Sequence, residues 1–591
     1  MSDFDERFVE SDPRGLMIKL TLVLLTCMLI ACFVSLLSRT YIGSLVYFQR
    51  TTSKLASEDS REGVDKRRIP EEKNLIDVGE LLNDPNLNSL IGGDAFLAMR
   101  VLRLCFTMCA ISSVYLSFTI LPCYLATYIQ SSSRSQHWLQ LLSFDRLPHN
   151  EPSLSWVPVI CSWTLTLLLV KLCDRESDQS INSTCQTSID SYTLLVTRLP
   201  NNIHNDHLVD LLEKDLGVTT VQHSTIYKQG DDHVEIIESL FENETDYKST
   251  WPNIQHLGHS IKYNLISVTE TLLGKEDPLR SFWSALFVEY QLVAFVTLKS
   301  LKDVLLLSKC TNTGSLAIEA APSPTNILWR NLCVSSITVR ARSHIASTLL
   351  TIALIFYPAV FIWLRRSLRK KEKSKFDELW NVHYISMVNY VVLILIVPKI
   401  LRMCGVVLER YRTVKEVEET IFSRYYVIHC INLLVFVFGF AGEAWLAVID
   451  VDMNKLGVDL IRNFESIGRY VPLIGLYFCA YIAYSSLGVC GSLIAPIQWL
   501  KLLYYKITVR DTDDILQRVP LRTMYVSEIV IESIFILNIC MIFAVISPFV
   551  LPLGMLYFAV AWLVYGYQFV YMHAPLYDTN AESWRAIRKV S

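Results

Sequence analysis

The chain runs repeatedly through about 20 residues with hardly a charge among them, and nothing else constrains its fold as tightly. A bilayer core about 30 Å thick is crossed by about 20 helical residues, each rising about 1.5 Å. Nine segments reach that length: 16–38, 101–127, 154–173, 345–364, 382–402, 425–447, 470–490, 526–547 and 549–571. Composition agrees, with 52% hydrophobic and 19% charged residues, whereas a soluble chain is about a quarter charged. The chain is therefore read as an α-helical polytopic membrane protein of about nine spans, which excludes a soluble enzyme, a secreted disulfide scaffold and a disordered tail. The first run, about 23 apolar residues long, exceeds the core of a signal peptide and has no small-x-small site after it. It is expected to be a retained span.

Most of the 15 cysteines lie inside these runs, among them Cys27, Cys105, Cys109, Cys479 and Cys540. No CxxC pair occurs and no Cys/His group has zinc-ligand spacing, so they read as small hydrophobes between helices. Neither a metal nor a cofactor is expected.

Basic residues set the orientation. The N-terminal tail is mostly acidic, whereas the flank after the first run carries Arg39, Arg50, Lys54, Arg61, Lys66, Arg67 and Arg68. The N-terminus is thus expected outside and the C-terminus in the cytosol. Alternation puts 174–343, 403–424 and 497–525 inside; the last two carry Arg410, Arg412, Lys415 and Arg424, and Lys501, Lys506, Arg510, Arg518 and Arg522. One loop opposes this: 365–375 holds seven positive charges yet falls outside. The expected division is 1–173 with three spans, a cytosolic domain over 174–343, six spans over 344–573 and a short tail over 574–591.

The 174–343 insert has no run long enough to span. Segments 191–199, 289–298 and 314–320 read as strands, 204–214 and 300–309 as helices, and 223–282 as polar and helix-leaning. Strands and helices in this order predict an α+β sheet of the ferredoxin-like, RNA-recognition-like kind. The strand that would stack bases, Leu292-Val-Ala-Phe-Val-Thr, lacks the glycine and the aromatics for that task, so no nucleic acid is expected as a partner.

Several stretches resemble one family. Ala320-Ala-Pro322-Ser-Pro324-Thr-Asn-Ile-Leu-Trp329-Arg-Asn331-Leu resembles the A-P-x-P-x-D-I-x-W-x-N-L signature of the OSCA family. These are hyperosmolality-gated, calcium-permeable, stress-gated cation channels, relatives of the anoctamins. Gly93-Asp-Ala-Phe-Leu-Ala-Met-Arg100 is similar to the family's entry to the second span, and Pro548 through Phe558 to its entry to the ninth. The resemblance implies an anoctamin-like channel fold. It also implies eleven spans, of which nine are legible here, and pore helices corresponding to the fourth to eighth.

On that resemblance, polar groups inside spans become pore-lining candidates. A charge in lipid costs about 2.5–3.5 kcal/mol on insertion scales, so it must face water, a cavity or a partner. The candidates are Lys399, Glu443, Glu528 and Glu532, with Asn389, Asn432, Asn538, Tyr477, Tyr481 and Ser485. Glu528 and Glu532 are four apart and share one helix face, placed to attract cations or to pair with Lys506 or Arg522. Gly488 and Gly491, followed by Pro496, weaken the helix ladder and suggest a gating hinge, with close helix packing the alternative use of such small residues.

The function this favours is a stretch- or osmotically activated, non-selective channel passing Ca2+, Na+ and K+. The expected setting is the plasma membrane or an endolysosomal membrane, among lipids, as a monomer or homodimer. A phospholipid scramblase and a non-conducting membrane scaffold are the alternatives. No nucleophile–base pair, phosphate loop or cofactor motif argues for an enzyme.

Overall fold

The computed structural model describes residues 13–38, 47, 91–130, 156–182, 192–199, 221–227, 291–298, 300, 304, 317–323, 326–369, 396–440, 478–479, 481–508, 522–523 and 525–574. In chain order the helices are α1 (Pro13–Ser38), α2 (Gly93–Gln130), α3 (Trp156–Asn182), α4 (Ser336–Arg369), α5 (Val397–Met403), α6 (Val414–Phe440), α7 (481–492), α8 (Pro496–Thr508), α9 (Val526–Phe543) and α10 (Val550–Tyr567). The strands are β1 (Thr193–Leu199), β2 (Val221–Tyr227), β3 (Leu292–Leu298), β4 (Ala317–Ala320), β5 (Arg522–Thr523) and β6 (His573–Ala574). Among the described residues, five helical stretches are long and apolar enough to cross a membrane: Leu20–Ser38, Gly93–Tyr124, Trp156–Glu176, Val526–Phe543 and Val550–Met572. They coincide with the first, second, third, eighth and ninth expected spans. Of the 382–402 run only its end is described, as the start of α5, and residues 441–477 lie outside the described set.

The chain divides into two units. One comprises Met1–Thr184, Tyr426–Pro575 and Ile587–Ser591. Its centre is α2 against the α9–α10 pair. Residues 544–549 turn the chain between those two helices, with Ser547 N–H donating to Phe543 O at 2.8 Å. Tyr124 donates its hydroxyl to Val545 O at that turn, also at 2.8 Å. Gly554 is required on α10: an added Cβ there would sit 2.5 Å from Cys540 Sγ and 3.4 Å from Cys109 Sγ. The α3 helix lies antiparallel on α2, bonded midway through Thr164 to Tyr115 at 2.9 Å and at one end by Arg100 to Glu176 at 2.7 Å. At the chain's far end β5 pairs in parallel with β6, joining the entrance of α9 to the segment just beyond the last span.

The other unit comprises Cys185–Tyr425 and Leu576–Ala586. It holds a four-stranded sheet in the order β2-β3-β1-β4 with every pairing antiparallel. Both faces of β1 and β3 are buried, since Leu194, Leu195, Val196, Val293, Ala294 and Val296 are all inside. That is why these two strands read as unbroken apolar runs instead of alternating ones. One expectation needs correction: the polar stretch from residue 223 does not open as helix, because 221–227 is β2. Its Val221, Thr225, Ile226 and Tyr227 suit a strand, and an edge position, paired among the described strands to β3 alone, tolerates the polar residues between them. The expected helices at 204–214 and 300–309 fall outside the described residues apart from Ser300 and Val304.

Candidate functional site

Two clusters of polar chemistry stand out, one in each unit. In the sheet-containing unit the signature segment forms a junction. Trp329 and Asn331 sit in a single 3-10 turn, and Trp329 packs on the buried Leu195, Val293, Ile327 and Leu332 with its ring 6.2 Å from Phe295. Asn331 is buried and donates Nδ2–H to two carbonyls, Val406 O at 2.9 Å and Tyr411 O at 3.1 Å. Nearby, Leu328 N–H donates to Arg412 O, and Ile327 forms a bridge with Thr413. The signature therefore fastens the sheet to the 404–413 segment. Pro322 is half-buried, and Pro324 lies outside the described residues.

That segment continues α5 as a π-helical turn, Cys404–Glu409, ended by Arg410 at φ 57°. Gly405 accommodates the turn, since an added Cβ would stand 3.2 Å from Val417. Helix α6 then starts with capped donors. Thr413 Oγ1 accepts from Glu416 N–H at 3.1 Å, Glu416 accepts from Arg412 N–H, and Asn326 Oδ1 accepts from Lys415 N–H at 2.9 Å. Two ion pairs close the junction. Arg402 meets Glu418 at 3.0 Å with both side chains buried, and Arg424 makes a two-pronged pair with the fully buried Glu409. Arg424 also donates to Ser343 and to Ser347 Oγ on α4, while Arg412 donates twice to Val334 O. Desolvation works against the Arg424 charge, but hydrogen bonds and attraction from Glu409 outweigh it and raise the guanidinium pKa.

In the helical unit, α9 runs between α6 and α7. Asn538 donates Nδ2–H to Tyr426 Oη at 2.8 Å, and one turn away Phe535 meets the His429 ring at 4.6 Å between centroids. On its other side Phe535 meets Tyr481 edge-on at 6.2 Å, and Phe478 stacks with Phe543 at 4.7 Å. Phe535 is thus gripped by residues of both neighbours. Glu528, Glu532 and Phe535 follow one another at helical spacing on one face of α9, and both glutamates are half-buried. Ser485 on α7 is fully buried, and its Oγ has no hydrogen-bond partner among the described residues.

Of the expected candidates, this seam brings together Tyr481 and Asn538, with Glu528 and Glu532 along the same helix. Asn432 is buried on α6, and Lys399 is exposed on α5. Asn389, Glu443 and Tyr477 lie outside the described residues. Helix α7 continues unbroken through Gly488 and Gly491; the departure from helical geometry comes later, at Ala495 with φ 48°, immediately before Pro496. Sequence reasoning missed Tyr426, His429 and Phe535 because aromatics in a span look like ordinary lipid-facing bulk. It also missed Glu409 with Arg424 and Arg402 with Glu418, whose separations of 15 and 16 residues match no local pairing rule.

Two family models match the chain: "Calcium-dependent channel, 7TM region" over residues 382–590, and "Late exocytosis, associated with Golgi transport" over 16–176. Between them they cover more than half of it. Hyperosmolality-gated Ca2+ permeable channel 1.5 of Arabidopsis thaliana is 22% identical over 316 residues, 50% of this chain and 41% of the relative. Channel 3.1 of the same plant is 22% identical over 297 residues, covering 47% and 40%. CSC1-like protein ERD4 of Brassica juncea is 21% identical over 292 residues, covering 46% and 39%. The matched stretch thus spans about two fifths of the curated relatives' own length. With the Trp329 signature folded into a structural junction and the two family models framing it on either side, the chain belongs to the OSCA family, a family of channels and not of enzymes, whose relatives are named hyperosmolality-gated and Ca2+ permeable.

Proposed function

We propose that this chain is a mechanosensitive cation channel, opened by stretch or osmotic stress, weakly selective and permeable to Ca2+ as well as Na+ and K+. The observation that carries the reading is the polar face of α9, where Glu528 and Glu532 lead to Phe535, gripped between His429 and Tyr481. Carboxylates at the approach concentrate cations, and an aromatic constriction stops them by excluding water. An open state of larger membrane area is favoured by tension in proportion to the area gained, so tension shifts the population as a ligand does. Moving α6 or α7 away from Phe535 unseals the seam.

The remaining expectations fit this reading. The strand order β2-β3-β1-β4 is that of a ferredoxin-like sheet. The antiparallel α2–α3 pair and the joining of β5 to β6 support the alternation of nine spans, with the 497–525 stretch and the C-terminus in the cytosol. Ala495-Pro496, following Gly488 and Gly491, is a natural place for α7 to pivot.

Purified protein in plain liposomes, recorded under suction, tests the function. Tension-evoked cation current is expected, and Glu528→Gln with Glu532→Gln should lower calcium permeability relative to potassium. Unchanged reversal potentials remove the two glutamates from the pore. Silence up to rupture defeats the channel reading, and lipid transfer between leaflets without current makes the protein a scramblase.

A further inference from the structure

Helix α8 shares an outward apolar stripe with the α3 span but differs from the five candidate spans in length. At 13 residues it is about 20 Å long, too short for a bilayer core of about 30 Å. Four of its apolar residues form one outward face: Leu500, Leu503, Tyr504 and Ile507 are 66%, 56%, 63% and 79% exposed, whereas Gln498 and Leu502 turn inward. Positions 500, 503, 504 and 507 form one stripe at helical spacing. The helix itself contains Lys501 and Lys506 and no acidic residue; Arg510 follows it, and Asp511, Asp513 and Asp514 come next.

Three contacts fix where α8 departs from the bundle. Ser492, the last residue of α7, accepts a hydrogen bond from Gln568 Nε2 at 2.8 Å. Gln568 stands five residues before His573, which pairs with Arg522 at the entrance of α9. Trp499, in the first turn of α8, donates Nε1–H to Tyr47, beyond the end of the first span. The end of α7, the start of α9, the end of the last span and the flank of the first therefore lie together at one end of the bundle. Ala495 turns the chain at that level, and α8 begins there.

A short helix with one apolar stripe, basic residues and no acids, leaving at the end of a membrane-spanning bundle, has the composition of a segment lying in a lipid headgroup layer. We infer that α8 lies in the plane of the bilayer surface, with Leu500, Leu503, Tyr504 and Ile507 in the acyl-chain boundary of an anionic leaflet. This rests on the membrane-spanning reading of the bundle, with this end facing the anionic cytosolic leaflet. It gives α7 a direct handle on the lipid: thinning or spreading of that leaflet pulls on Pro496 and hence on the end of α7.

The test is photolabelling of the full chain in vesicles, with mass-spectrometric mapping. One set of probes carries a diazirine near the glycerol and the other at the acyl terminus, each as phosphatidylserine and phosphatidylcholine. Expected is strong labelling of 500–507 by the shallow probe alone, favouring phosphatidylserine. Lys501→Gln with Lys506→Gln should reduce that preference by about fivefold for each charge removed, leaving the shallow labelling in place. Equal labelling by the deep probe overturns the inference in favour of a membrane-crossing α8, and protection from both probes overturns it in favour of a second protein copy on this face. Labelling is read without current, so a silent protein that still labels defeats only the channel reading. A conducting protein that does not label defeats only this inference.

Discussion

The junction around Asn331 and the seam around Phe535 both bury polar groups, and they treat them in opposite ways. In the junction, Glu409 has Arg424, Glu418 has Arg402, and Asn331 serves two carbonyls. In the seam, Asn538 donates to Tyr426, but the Ser485 hydroxyl is enclosed with no hydrogen-bond partner among the described residues. A buried hydroxyl without a partner costs about 1–3 kcal/mol, and folded proteins carry few of them. The contrast separates two uses of buried polarity. Paired groups specify one arrangement of the chain, whereas on the proposed channel reading an unpaired one is polar surface that water or an ion meets when helices part.

The contrast is sharpest at Glu409. Replacing it with Ala leaves the Arg424 guanidinium among Ser343, Ser347 and Tyr411 with no counter-charge. Breaking a buried ion pair from one side costs about 3–5 kcal/mol. Thermal unfolding of the purified protein should show that loss, with faster hydrogen exchange across 404–425. Glu409→Gln keeps the shape and one acceptor and should lose less. A change near zero for Glu409→Ala would mean that the junction tolerates an unpaired charge, and the comparison with the seam would collapse.

Asn331→Ala comes next. It strips donors from Val406 O and Tyr411 O, and leaving such groups unmet costs about 1–3 kcal/mol. Asn331→Asp cannot donate either, so it should be at least as damaging. If the aspartate variant matches the native protein in thermal unfolding, shape rather than hydrogen bonding is what the signature asparagine provides.

How much of this was legible in the sequence follows from the range of the interactions. The spans answer to local composition, and α1, α2, α3, α9 and α10 fall on segments chosen from hydrophobic runs alone. Strands β1 and β3 were visible because burial on both faces makes them continuous apolar runs, while β2, polar and at an edge, was not. The start of α6 carried a signal that went unused: Thr413-Val-Lys-Glu416 has capping-box spacing and marks a helix beginning well before the apolar run at 425. The charges of 403–424 were read for topology alone. Arg412 and Arg424 turn inward to a carbonyl and a carboxylate, a role that depends on partners 78 and 15 residues away. At the seam, the glutamate spacing was readable, whereas the identity of Phe535 as the residue held by two helices required their packing.

Ser485→Ala tests the other side of the comparison. Removing a buried hydroxyl that has no partner takes away a desolvation cost, so stability should rise by about 1 kcal/mol rather than fall. Conductance through a seam lined by Ser485 should drop, read as single-channel amplitude at fixed tension. A loss of stability as large as that of Asn331→Ala would show the hydroxyl to be structural, and the two clusters would then obey the same rule.

The smallest effect discriminates most finely between a hinge at the glycines and one beyond them. An added Cβ at Gly491 finds no heavy atom within 4 Å, so Gly491→Ala introduces no clash. Alanine is the better helix former by about 0.8–1 kcal/mol, and the variant should be slightly more stable for that reason alone. If α7 bends at Gly491 during opening, the stiffer helix raises the tension threshold. If the pivot is Ala495, held at φ 48° ahead of Pro496, Gly491→Ala leaves the threshold where it was. Ala495→Gly then shifts it instead, because glycine removes the about 1–2 kcal/mol that a side chain costs in the left-handed region. Threshold pressures of the two variants, measured in the same membranes, therefore decide between two pivots four positions apart.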